Sequence, residues 1–144
     1  MATSNEMLTN KAKLQFMGYR VDKMMFGLKP EFTSWPDKIA LSPSFKRTIR
    51  QLDENKHEVS ITVELKQDDL PFDAELSLTG GFIYEGSDSP EKMLRINAVS
   101  ILYPYVRCAL SMLTNLAGIP PVIIPTINFA KALEDAEASL SAEQ

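Results

Sequence analysis

Between Glu58 and Lys66 the chain alternates without a break. Val59, Ile61, Val63 and Leu65 are apolar; Glu58, Ser60, Thr62, Glu64 and Lys66 are polar. A period of two with β-branched residues on one parity describes a strand with one buried and one wet face. A second run follows the turn at residues 67–71, where Phe72, Ala74, Leu76 and Leu78 alternate with Asp73, Glu75, Ser77 and Thr79. Strands so closely linked pair antiparallel, and a sheet wet on one face needs cover on the other.

The flanking sequence supplies more of the same sheet. From Lys13 to Leu28 the apolar parity changes twice: Leu14 and Phe16, then Tyr19 and Val21, then Met24, Phe26 and Leu28. Each extra residue in a strand flips the facing side, so this is one long strand with one or two bulges. Ser44 to Gln51 reads as another strand, with Phe45 and Ile49 inward and Lys46, Arg47 and Arg50 outward. Between them Pro30, Pro36 and Pro43 forbid regular structure, leaving a long loop that carries Phe32, Trp35, Ile39 and Leu41. Gly80-Gly81 interrupts the fourth strand before Phe82, Ile83 and Tyr84, marking a bulge or a close backbone approach.

After residue 88 the period becomes helical. Ser89-Pro90-Glu91 has a Ser cap, Pro at the first position and an early acid. Met93 to Ala98 forms a short helix, and a longer one runs from Ser100 to Ala117, stopped by a left-handed Gly118. Pro104 fits only if it lies in that helix's first turn. The long helix is apolar around most of its circumference, and one sheet covers only one side of it. The leftover face therefore asks for another subunit. Gly118 to Pro125 is a stiff connection, and Asn128 caps a last helix whose stripe is Phe129, Leu133, Ala136 and Leu140. Glu134, Asp135, Glu137 and Glu143 make this end acidic.

Composition removes whole classes of function. The 144 residues read as one domain over 1–144, with 1–10 and 141–144 as tails. One Cys and one His leave no intramolecular disulfide and no zinc set. A formal charge of −4 is a poor nucleic-acid footprint. No signal peptide is read in Met1–Asn10, and no apolar run is expected to approach the roughly 18 residues a membrane span needs, so the location expected is cytoplasmic. His57 reads as a strand-end imidazole and Cys108 as a core thiol; the acid pairs Asp53-Glu54 and Asp68-Asp69 are turn formers. No catalytic residue, cofactor or metal is expected. What remains is an apolar surplus at Met24, Met25, Phe26, Phe32, Trp35 and Ile39. These residues either pack the loop onto the sheet or line an adaptable groove, for which methionine's flexibility is suited.

The run Ile101-Leu102-Tyr103-Pro104-Tyr105-Val106-Arg107 is similar to the helix entry of the SecB family of export chaperones. Gly118-Ile119-Pro120 and Pro125-Thr126-Ile127-Asn128-Phe129 resemble the family's post-helix connection, Gly80-Gly81-Phe82 its fourth-strand step, and Trp35-Pro36 its crossover loop. The resemblance implies an α+β fold: a four-stranded antiparallel sheet with a long helix and a C-terminal helix on one face, assembled as a dimer of dimers. It also implies a homotetrameric, ATP-independent holdase for unfolded preproteins. Its client contacts map onto Met24, Met25, Phe26, Phe32, Trp35 and Ile39, with Tyr84 and Leu102. Val106, Ala109, Leu110, Leu113 and Leu116, with Met112, are the expected contacts between subunits.

One departure matters. The family docks the motor SecA through acids late in its first strand, and those positions are Lys23 and Gly27 here. SecA docking is therefore expected to be weak. A dedicated chaperone for one client, such as an antitoxin, is the alternative. A domain binding a small apolar ligand or a peptide is the third reading.

Overall fold

The computed structural model describes residues 14–32, 40–86, 89–120 and 122–124, together with residues 131, 134, 135 and 137–139, which are helical. Four strands, β1 (Leu14–Leu28), β2 (Ser44–Gln51), β3 (Lys56–Leu65) and β4 (Phe72–Tyr84), form one antiparallel sheet in the order β1-β4-β3-β2. The β1–β2 connection must therefore cross from one edge to the other. Gln67 fastens the ends of that crossover where it passes the β3–β4 turn. Its carbonyl accepts from Lys29 Nζ at 2.6 Å, and its side-chain amide meets the Ser42 amide at 2.6 Å and the Ala40 carbonyl at 2.9 Å. Trp35 and Ile39 lie outside the described residues.

The parity changes in β1 are two bulges, at Phe16/Gly18 and Val21/Lys23 opposite β4. The first uses Gly18 at φ 113°, a conformation costly to any residue with a Cβ. The bulges keep Leu14, Phe16, Tyr19, Val21, Met24, Phe26 and Leu28 on one side of the sheet despite the shifted spacing. Gly80 does not interrupt β4, which runs unbroken to Tyr84. It is instead a close approach: a Cβ there would lie 2.5 Å from Leu102 Cδ2, so glycine lets the helix settle onto the strand.

The two expected helices are one continuous run. α1 (Pro90–Met93) passes through a π-helical turn, Leu94–Ala98, into α2 (Val99–Leu116). Pro90 stands at the first position as expected, but Ser89 makes no side-chain cap bond. Because the run is unbroken, Pro104 lies inside α2 rather than in a first turn. Ser100, whose carbonyl lacks a donor for that reason, is exposed, so water can serve it. At the far end Gly118 (φ 86°) makes a Schellman stop. Its amide donates to Asn115 and that of Ile119 to Thr114.

α2 packs on β3, β4 and β1. The core holds Val59, Ile61, Val63 and Leu65 against Leu76, Leu78 and Phe82, closed by Leu94, Val99, Leu102, Val106 and Leu110. The run Pro90–Leu116 is long and apolar enough to span a bilayer by length and composition. Its buried side chains, however, are this sheet's cover. The connector after Gly118 adds Val122 and Ile124 to the core. It is held along α2 by the Val122 amide on Thr114 Oγ1 and by Arg107 Nε on the Ile124 carbonyl, both at 2.8 Å. Asn128 and the stripe Phe129, Leu133, Ala136 and Leu140 lie outside the described residues, as do both expected tails.

Candidate functional site: an uncovered apolar face

The helix covers only part of its side of the sheet. Along β1, Tyr19, Val21, Met24 and Leu28 stand on the helix side yet remain exposed. Along α2, Tyr105, Cys108 and Met112 recur at helical spacing and are also exposed, continuing to Leu116 at 88%. The two stripes meet where the Tyr105 ring packs on Phe16 (centroids 5.5 Å apart) and on Tyr19 (4.7 Å). The result is one apolar face shared by an edge strand and a helix, wider than the scattered single residues normal for a surface.

The sequence-expected residues fall into different positions relative to this face. Met24 belongs to it. Met25, one residue on, pairs with Glu75 and sits on the opposite side of the sheet, because side chains alternate. Phe26 is half-buried and stacked on Phe72 (centroids 5.3 Å apart), so it supports the face from below. Phe32 is half-buried at the start of the crossover, 5.9 Å from Lys29 Nζ. Tyr84 and Leu102 are corrections: both are buried in the core, Leu102 under the Gly80 approach, and offer nothing to a client. Val106 and Leu110 are corrections too, since the chain's own sheet already covers them. Ala109 and Leu113 are half-buried, and Leu116 is open. Tyr19, Val21, Leu28 and Tyr105, exposed on this face, were not among the residues expected there, although the parity that put Tyr19 and Val21 on the sheet's apolar side was readable.

Cys108 is exposed rather than a core thiol, with its Sγ 3.9 Å from Met112 Sδ. His57 is buried at the start of β3, and burial holds its pKa below the usual value. Among the described residues no group of three or more His, Cys, Asp or Glu is placed to hold a metal.

The outer side of the sheet is chemically different. Arg20 pairs with Glu58 at 3.0 Å and with Asp22 at 2.9 Å, and Arg50 reaches Glu58 at 3.5 Å. Lys46 faces Glu64 at 3.8 Å, and Ser60–Thr79 and Thr62–Ser77 link β3 to β4. Lys23 and Lys66 both hold Glu75, whose pKa is lowered to about 2 by those two hydrogen-bonded ammonium groups. Asp22, Glu58, Glu64 and Glu75 on this side are therefore each answered by a cation. The position where the family resemblance implies an acid carries Lys23, and Lys23 is spent on Glu75.

Comparison with known proteins places this architecture. The family model described as preprotein translocase subunit SecB matches residues 31–139. An uncharacterized protein of Methanocaldococcus jannaschii is 36% identical over 138 residues, covering 88% of this chain and 86% of that one. The protein-export protein SecB of Saccharophagus degradans is 33% identical over 87 residues, covering 56% of this chain and 52% of the relative, so the match spans about half of that protein's length. Among solved structures, a Mycobacterium tuberculosis SecB-like chaperone in complex with an antitoxin peptide shares the fold, with a TM-score of 0.65 over 83% of this chain and 94% of that one at 16% identity.

Proposed function

This chain belongs to the SecB family, and on that premise we propose that it is an ATP-independent holdase working in the cytoplasm. It binds non-native polypeptide on the face shared by β1 and α2, as one subunit of a homotetramer. No bond is made or broken. Burial of apolar surface contributes roughly 25 cal/mol per Å² without directional demands, which favours a broad choice of clients. The observation that carries the reading is the exposed stripe of Tyr19, Val21, Met24 and Leu28 meeting Tyr105 and Met112. Leu116, Leu113 and Ala109 at the helix end are the contacts we assign to the neighbouring subunit.

A specific observation favours clients served without the export motor. The described acids Asp22, Glu58, Glu64 and Glu75 of the outer sheet are engaged by Arg20, Lys46, Arg50, Lys23 and Lys66. That leaves little negative charge for SecA to read. A dedicated client, such as the antitoxin whose peptide occupies the Mycobacterium chaperone, fits this surface better than a preprotein awaiting a motor.

The test is light scattering of an unrelated protein diluted from denaturant. Suppressed aggregation at one tetramer per client, with no added nucleotide, supports the reading. No suppression of that client, together with rescue of a single neighbouring-gene product, favours the dedicated chaperone. A monomeric mass in solution overturns both.

A further inference from the structure

We infer that Arg47 and Arg95 form a socket for two carboxylates spaced one helical turn apart, filled at rest by the chain's own Glu134 and Glu137 and taken over by an acidic helical peptide of another chain. The inference stands on the contacts of this corner and does not depend on the holding activity.

Arg47 lies on the helix-facing side of β2, between Phe45 and Ile49, and its side chain is 1% exposed. It donates to the Arg95 carbonyl at 2.7 Å and to Glu134 at 3.0 Å, and it also pairs with Glu137. Arg95 donates to the same Glu134 oxygen at 3.0 Å and pairs with the same Glu137 oxygen. One carboxylate oxygen of each acid thus bridges two guanidinium groups in a closed ring of four charges.

The two halves of the ring differ in how freely they exchange. The guanidinium of Arg47 is buried beside a second cation, so leaving it without an anion is strongly unfavourable. Glu134 and Glu137 keep 43% and 35% of their side chains in water, so they are readily rehydrated when another carboxylate pair replaces them, and Arg47 stays paired through the exchange. The fixed half is cationic and the replaceable half is a Glu-x-x-Glu segment. Each bridging oxygen accepts a charge-assisted hydrogen bond from both arginines, an arrangement suited to carboxylates. Beside the ring a solvent-open cavity of about 390 Å³, lined by Ile49, Gln51, His57 and Leu94, leaves room for a side chain of an incoming peptide.

The full chain carrying Glu134→Gln and Glu137→Gln is titrated with a peptide of residues 131–142, and with the same peptide bearing both Gln substitutions. The expected result is binding of the acidic peptide at least about tenfold tighter than wild type shows, no binding of the Gln peptide, and loss of binding when Arg95→Gln is added. Circular dichroism reports whether the variant is folded. If it is not, wild type is titrated to millimolar peptide, where weak displacement by the acidic peptide alone supports the socket. Equal binding of the two peptides, or no binding of the acidic one, overturns it.

Discussion

The two edges of the sheet flank the same helix and meet opposite fates. β1 is 15 residues long, bulged twice, and leaves Tyr19, Val21, Met24 and Leu28 open on its helix side. β2 is eight residues long and unbulged, and its helix side is closed: Phe45 and Ile49 are half-buried, and Arg47 is sealed by Arg95 and by two acids near the end of the chain. The difference teaches where the chain spent its covering elements. After Gly118 the connector is pinned to α2 by Thr114 and Arg107, and the acidic end reaches β2. On β1, Tyr19, Val21, Met24 and Leu28 stay open. An uncovered face beside a covered one is what a chain leaves when a partner is to supply the rest.

Disturbing what both edges share has the largest expected effect. Leu102→Ala empties the site under Gly80 and costs about 3 kcal/mol, read as a lower urea midpoint with unchanged slope. Both edges then loosen together; hydrogen exchange that rises at one edge alone breaks the shared-helix account. Next comes Arg47→Gln, which removes the buried member of the charge ring and costs about 2 kcal/mol, the modest figure reflecting acids that stay wet. Exchange is expected to rise in β2 and in residues 131–139 while β1 stays as it was. The doubly substituted Met24→Ser, Met112→Ser protein addresses the open edge. Its stability moves by no more than about 0.5 kcal/mol because both side chains are exposed, while affinity for an unfolded client falls roughly tenfold. A thermal midpoint that drops sharply means this face is core.

Acid provides the smallest and most local probe. His57 has a folded pKa below its unfolded value, so the unfolded chain takes the proton first. Stability should fall as pH drops below about 6.5, and His57→Asn should flatten that slope. Glu75, lowered to about 2, contributes stability that is present above its unfolded value near 4.5 and lost as pH falls from there toward 2. Glu75→Gln is expected to lessen that second slope, to which Glu134 also contributes, measured as Tm against pH, without touching the first.

Much of the frame was legible in the sequence because it depends on local periodicity. The β2 bounds, both β1 bulges, Pro90 at the helix start and the Gly118 stop follow from parity, ring geometry and positive φ. The misplaced residues have different origins. Arg47 was assigned outward for its charge, although it shares the parity of Phe45 and Ile49; its partners lie 87 and 90 residues away, beyond any local pattern. Met24 and Met25 were grouped as neighbours in sequence, while a strand puts neighbours on opposite faces. The merged helix, with Pro104 inside it, depends on the π-helical turn at Leu94–Ala98, for which a period of 3.6 gives no cue. Which half of α2 stays exposed is fixed by what other elements cover, and for that reason Val106 and Leu110 were expected between subunits.

The central claim is that polypeptide binds the β1–α2 face, and site-specific photo-crosslinking to an unfolded client tests it most directly. A photoreactive residue at Met24 or Met112 is expected to label the client strongly, and one at Thr48, exposed on the outer side of β2, to label it little. Equal labelling at the three positions, or stronger labelling from Thr48, contradicts the account.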